Sequence, residues 1–124
     1  MGIEKHLRKA KELYQKAVEE LERAREKRDG VLLQDSCAKG WLSALEGLNV
    51  LLLKKGVKEE ELPKTDRGRR YMVYRHAEKE FEHLYFYLRD VLHIEGYYEG
   101  ALDPEEVERH LKNLAAYLQK IEVL

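Results

Sequence analysis

The sequence predicts an all-α protein, an up-down antiparallel four-helix bundle that gains a short fifth helix if residues 66–95 divide. Three observations predict it. Apolar residues recur with helical spacing in four long segments, no segment alternates with period two, and glycine and proline fall between the segments. At 124 residues the chain is one domain, long enough for a core that needs no disulfide or metal.

The organising stretch is Val31 to Leu53, the longest run with little charge in a chain that is 38% charged. Its apolar residues spread over most of a helix circumference, which predicts a central helix with neighbours on several sides. Cys37, Gly40, Ala44 and Gly47 follow at steps of three, four and three, a small-residue face where another backbone is expected to come close. A glycine inside a helix costs about 1 kcal/mol against alanine, so two of them imply a packing reason.

The preceding helix runs from about Ile3 to Arg28. Ile3, Leu7, Ala10, Tyr14, Ala17, Leu21 and Ala24 form one narrow seam. Asp29-Gly30 ends it, with Gly30 expected to supply the left-handed turn, and so short a link returns the central helix antiparallel. Gly56 closes the central helix and VKEEELPK connects onward, with Thr65 or Asp66 as the next cap. Tyr71, Tyr74 and Ala77 give a short stripe, and Phe81, Leu84, Tyr85, Leu88, Val91 and Leu92 a broader one. This is either one kinked helix over 66–95 or two joined near Ala77. Gly96 is expected to stop that helix. Asp103-Pro104-Glu105-Glu106 then opens the last one, with Asp as N-cap and Pro in the first turn, and its seam is Val107, Leu111, Leu114, Leu118 and Ile121.

Composition narrows function by exclusion. Twenty-three basic and 24 acidic residues leave a net charge of −1, so no global field selects a nucleic acid or a membrane. Asp35, Lys39 and Glu46 interrupt the one low-charge run and argue against a membrane span. The N-terminus is charged from the start, unlike a secretory signal, and a single cysteine fits a reducing compartment, so a cytoplasmic location is expected. Abundant Glu, Lys and Arg with only five Asn and Gln resemble the balance of proteins from hot environments. No motif asks for a cofactor, and Ser43 lacks His and Asp partners at a recognisable spacing.

Four constellations could carry chemistry. Arg70 and His76, with Arg69 as an alternative to Arg70, fit an Arg-x(4–6)-His pattern that pairs a cation for phosphate with a proton-transfer group. Ten arginines and five histidines give about one such match by chance. Arg89 and His93 stand too close together for it. His76, Glu80 and His83 would share one face of a continuous helix. A di-iron site, however, needs a second Glu-x-x-His that this chain lacks, so no metal is expected. His93, Glu95, Tyr97 and Tyr98, between Gly96 and Gly100, either seal a helix end or offer rings to stack on a base or partner. Lys5, Arg8, Lys9, Lys54, Lys55, Lys58, Lys64, Arg67, Arg69 and Arg70 gather at one end of an up-down bundle, where an anion or a solvated mixed surface would account for them.

The pattern Cys37-x-x-Gly40-Trp41-x-x-Ala44-Leu45-x-x-Leu48, then Lys54-Lys55-Gly56-Val57, Leu62-Pro63-Lys64 and Leu92-His93-Ile94-Glu95-Gly96-Tyr97-Tyr98-Glu99-Gly100, resembles small HEPN-like helical-bundle proteins of the PaREP1 and DUF5618 type over nearly the whole chain. The resemblance implies a four- or five-helix bundle, usually a homodimer. Some such proteins are ribonucleases. Others are toxin or antitoxin partners of nucleotidyltransferases, or substrate-binding subunits. Catalytic members often carry a polar residue after the arginine, and here Tyr71 follows Arg70, which argues against nuclease activity. The expected function is therefore a non-catalytic interaction or ligand-binding module acting as a homodimer. RNA, a nucleotide or a nucleotidyltransferase-like protein would be its partner. The alternative is a metal-independent ribonuclease using Arg70 and His76.

Overall fold

The computed structural model describes residues 2–124, and every regular element in them is helical. Helix α1 spans Gly2–Lys27 and α2 spans Gly30–Lys54, an antiparallel pair of matched length, each about 38 Å long at 1.5 Å per residue. The turn between them differs from expectation. Arg28, not Gly30, adopts the left-handed conformation (φ 51°), and Gly30 is already the first residue of α2. The reason is the cap: the Asp29 carboxylate accepts the Val31 and Leu32 N–H groups at 2.9 and 3.2 Å, which fixes the start of α2 one residue earlier.

Two buried serines join these helices. Ser36 and Ser43 each donate at 2.7 Å to an α1 carbonyl, those of Ala17 and Ala10 respectively. Both pairs step by seven residues, and the alanines leave room for the approach. The closest approach of the α1 backbone is thus on the serine line. On the small-residue face, Gly40 and Gly47 instead accommodate α5 side chains: a Cβ would stand 3.0 Å from Leu111 at Gly40 and 2.7 Å from Leu118 at Gly47.

Past Gly56 (φ 96°) a 3-10 turn, Glu59–Glu61, leads to α3, Asp66–His76, capped by the Thr65 hydroxyl, which accepts the Gly68 N–H at 3.0 Å. Residues 66–95 do divide: Ala77 and Glu78 are extended, and α4 begins at Lys79. Helix α4, Lys79–Leu88, then changes winding without stopping and continues as a π-helix over Arg89–Tyr98. Gly96 is therefore not a terminator. It lies buried inside the π segment, pressed on Cys37, and the left-handed exit residue is Gly100 (φ 60°). Helix α5, Pro104–Glu122, starts with the expected reciprocal cap, Glu106 N–H to Asp103 at 2.8 Å and Asp103 N–H to Glu106 at 3.0 Å. All five of its seam residues are buried, together with Tyr117.

Trp41 is 5% exposed and Leu48 1%, so α2 is the centre of the bundle, held by α1, α5 and the π segment. It is not covered all round. Val31 is 67% exposed and Leu42 45%, which leaves one side of the central helix open.

Candidate functional site: an aromatic row beside an arginine cluster

Long π-helices are rare because their hydrogen bonding is less favourable, and short ones concentrate at functional sites. Here the segment packs tightly against α2. At Gly96 a Cβ would lie 2.5 Å from the Cys37 sulfur, 2.9 Å from its Cβ and 3.0 Å from the Val91 carbonyl. The wider turn seats both Leu92 and Gly96 against α2, and Gln34 donates to the Tyr97 carbonyl at 2.9 Å. Each π turn closes one residue later than an α turn. Residues four and five apart, Arg89, His93 and then Tyr97 and Tyr98, are thereby brought along one side.

The rings meet. His93 stacks on Trp41, with centroids 5.3 Å apart and planes 20° from parallel. Tyr97 is parallel to His93 at 6.5 Å, and Tyr98 meets it edge-on at 4.8 Å. Tyr85 lies against Trp41 at 5.5 Å from beneath. Trp41 and Tyr85 are buried, while Tyr97 is 41% and Tyr98 67% exposed, so the row runs from the core outward to solvent. Burial lowers the His93 pKa, and the charges of Arg89 and Arg69 lower it further while Asp66 opposes them, so near neutral pH its ring is uncharged.

Those same charges form the second half of the site. Asp66, at the start of α3, accepts two bonds from Arg89, at 2.9 and 3.0 Å, and one from Arg70 at 3.1 Å. The Arg89 bonds hold the Asp66 carboxyl below the usual carboxylate range, against its partial burial. Arg69 has no ion-pair partner among the described residues, so the group carries a net positive charge beside the rings. The Tyr85 hydroxyl is buried without a hydrogen-bond partner and feels Asp66 and all three arginines. Burial pushes its pKa up to about 12. A polar ring system backed by fixed cations can hold a flat, anionic ligand by stacking and charge.

The sequence-predicted residues separate as follows. His93, Tyr97 and Tyr98 are brought together. Glu95 is exposed, and its charge is felt by His110 of α5 rather than by His93. Arg70 joins the Asp66 group, whereas His76 lines a different cavity of about 480 Å³ with Lys55, Tyr71 and Arg75, a cavity to which Arg70 does not contribute. His76, Glu80 and His83 no longer share a helix, because the chain breaks at Ala77 and Glu78, and Glu80 is held by Lys120 at 2.8 Å. Among the described residues no three His, Cys, Asp or Glu side chains are grouped to hold a metal. The basic end is partly spoken for: Lys54 donates to the carbonyls of Ile121 and Glu122 at the end of α5, and Lys55 pairs with Glu78. Arg89 and Trp41 were not among the predicted site residues. The four-residue steps from Arg89 to His93 to Tyr97 were the available signal. Steps of four share a face under α winding too, and the π turn brings Tyr98, five residues from His93, onto it as well.

A cleft of about 1120 Å³ lies elsewhere, between the end of α1 and the starts of α2 and α5, where the Arg25 and Lys112 charges are met by Glu108. No helix among the described residues is long and apolar enough to cross a membrane. Comparison with protein-family models, with curated proteins and with solved structures gives no match.

Proposed function

We propose that this chain is a non-catalytic interaction module, a HEPN-like bundle acting as a homodimer, whose His93–Tyr97–Tyr98 row and neighbouring arginines receive a nucleotide-bearing ligand. The observation that supports this reading is the stack of His93 on Trp41, continued to solvent by two tyrosines and flanked by Arg89 and Arg69. A base can extend the row while a phosphate meets the cations. The ribonuclease alternative draws less support, because Arg70 is engaged by Asp66 and His76 lies in another cavity.

Trp41 is the only tryptophan, and its contact with His93 makes it a reporter for the row. Titration with adenosine monophosphate and with a short oligoadenylate is expected to change its emission. Replacing both Tyr97 and Tyr98 with alanine should weaken binding roughly 5- to 150-fold, the equivalent of about 1–3 kcal/mol for one lost stacking contact. An unchanged emission at millimolar ligand, or cleavage of mixed RNA that disappears in His76→Ala, would overturn the reading.

A further inference from the structure

We propose that the open side of α2 docks a second copy of this chain, antiparallel, about a two-fold axis at Ala38. The proposal rests on the homodimer reading above and adds the surface. Val31, Ala38 and Leu45 recur every seven residues and Leu42 lies one turn beyond Ala38, so four apolar side chains line one side of the helix. Val31 and Leu42 are well exposed and the other two half-buried, while α1, α5 and the π segment take the rest of the circumference.

The strip matches itself. Val31 and Leu45 stand seven residues either side of Ala38, so the two-fold sets each Val31 against the other copy's Leu45 and Ala38 against Ala38. The small residue falls at the crossing point, where the helices come nearest. Charge selects the orientation. Asp35 and Lys39 border the strip on its α1 side, and an antiparallel two-fold keeps the two α1 sides together. Each Asp35 then lies within about 3 Å, along the axis, of the level of the other copy's Lys39. A parallel two-fold would put the two α1 sides on opposite sides of the contact, so Asp35 would not meet the other copy's Lys39. Lys39 already holds Glu20 at 2.7 Å, while Asp35 has no ion-pair partner among the described residues and is free to take one.

The test uses the full chain. Light scattering should give a dimer, and Leu42→Glu should weaken it at least tenfold with helicity unchanged by circular dichroism. Under mild oxidation Ala38→Cys should cross-link to its own counterpart, whereas Leu42→Cys, which faces Gln34, should not. Cys37 is buried, and the unsubstituted chain serves as the control. If the dimer persists in Leu42→Glu and Ala38→Cys fails to cross-link, this surface is wrong and the homodimer reading stands. A monomer at several hundred micromolar would remove both.

Discussion

Replacing Gly96 with alanine tests whether the π segment is held by its fit to Cys37. In an ordinary helix the change would add about 1 kcal/mol of stability. Here the new methyl would meet the Cys37 sulfur at 2.5 Å, its Cβ at 2.9 Å and the Val91 carbonyl at 3.0 Å, and two of those three atoms cannot swing aside. Overpacking of that kind costs about 1–3 kcal/mol, so the net effect should be a loss of up to about 2 kcal/mol. Two glycines calibrate it. At Gly30 an added methyl meets nothing within 4 Å, and at Gly47 the nearest atom, 2.7 Å away, is the end of the Leu118 side chain, which can rotate. Urea unfolding followed by Trp41 emission should therefore rank the variants Gly30→Ala, Gly47→Ala, Gly96→Ala from most to least stable. Cys37→Ala should recover part of the loss at Gly96, with a coupling of about 1 kcal/mol in a double-mutant cycle. A Gly96→Ala protein as stable as the unaltered one, with unshifted emission, would refute the packing account of the π winding.

Asp66→Asn should free Arg89 and Arg70 from their internal carboxylate. Adenosine monophosphate is then expected to bind several-fold tighter while adenosine is unaffected, and stability should drop by no more than about 1 kcal/mol because the pair is partly exposed. Equal change for both ligands would place the phosphate elsewhere. Stability should also depend on pH in two opposed ways. His93 and half-buried His110 have folded pKa values below 6.5, so the unfolded chain binds more protons and stability falls as pH drops from 6.5 through those lowered values. His6 is lowered by burial, but its bonds to Glu59 at 2.8 Å and Glu46 at 2.6 Å outweigh that and raise it. Its contribution is therefore whole below 6.5 and lost as pH rises through the folded value. Urea midpoints between pH 5 and 8 should show His93→Ala flattening the acid side and His6→Ala the alkaline side. A profile that neither variant alters would contradict both assignments.

Features governed by neighbouring residues were legible in the sequence. The α1 seam, the stop at Gly56 and the Asp103 capping box each depend on side chains within a turn or two. The π winding was not legible, because Gly96 reads locally as a helix stop. Its close fit is to Cys37, 59 residues earlier, which no local pattern signals. The same dependence on distant partners hid the Trp41–His93 stack and the engagement of Arg89 by Asp66. His93, Tyr97 and Tyr98 were readable as a group because they are adjacent in the chain. Arg70 and His76 were readable only as a spacing, which carries no information about what else claims the arginine.

The rungs from Ser36 and Ser43 to the α1 carbonyls have a consequence for how the molecule can change. They use a hydroxyl where most helix pairs use a leucine, so the α1–α2 hairpin is thin and keyed by polar bonds seven residues apart. A single residue inserted between the two rungs, in either helix, would rotate one rung by about 100° relative to the other, so both bonds could not be kept. The hairpin is thus fixed in register at two points, whereas α3 buries only Val73.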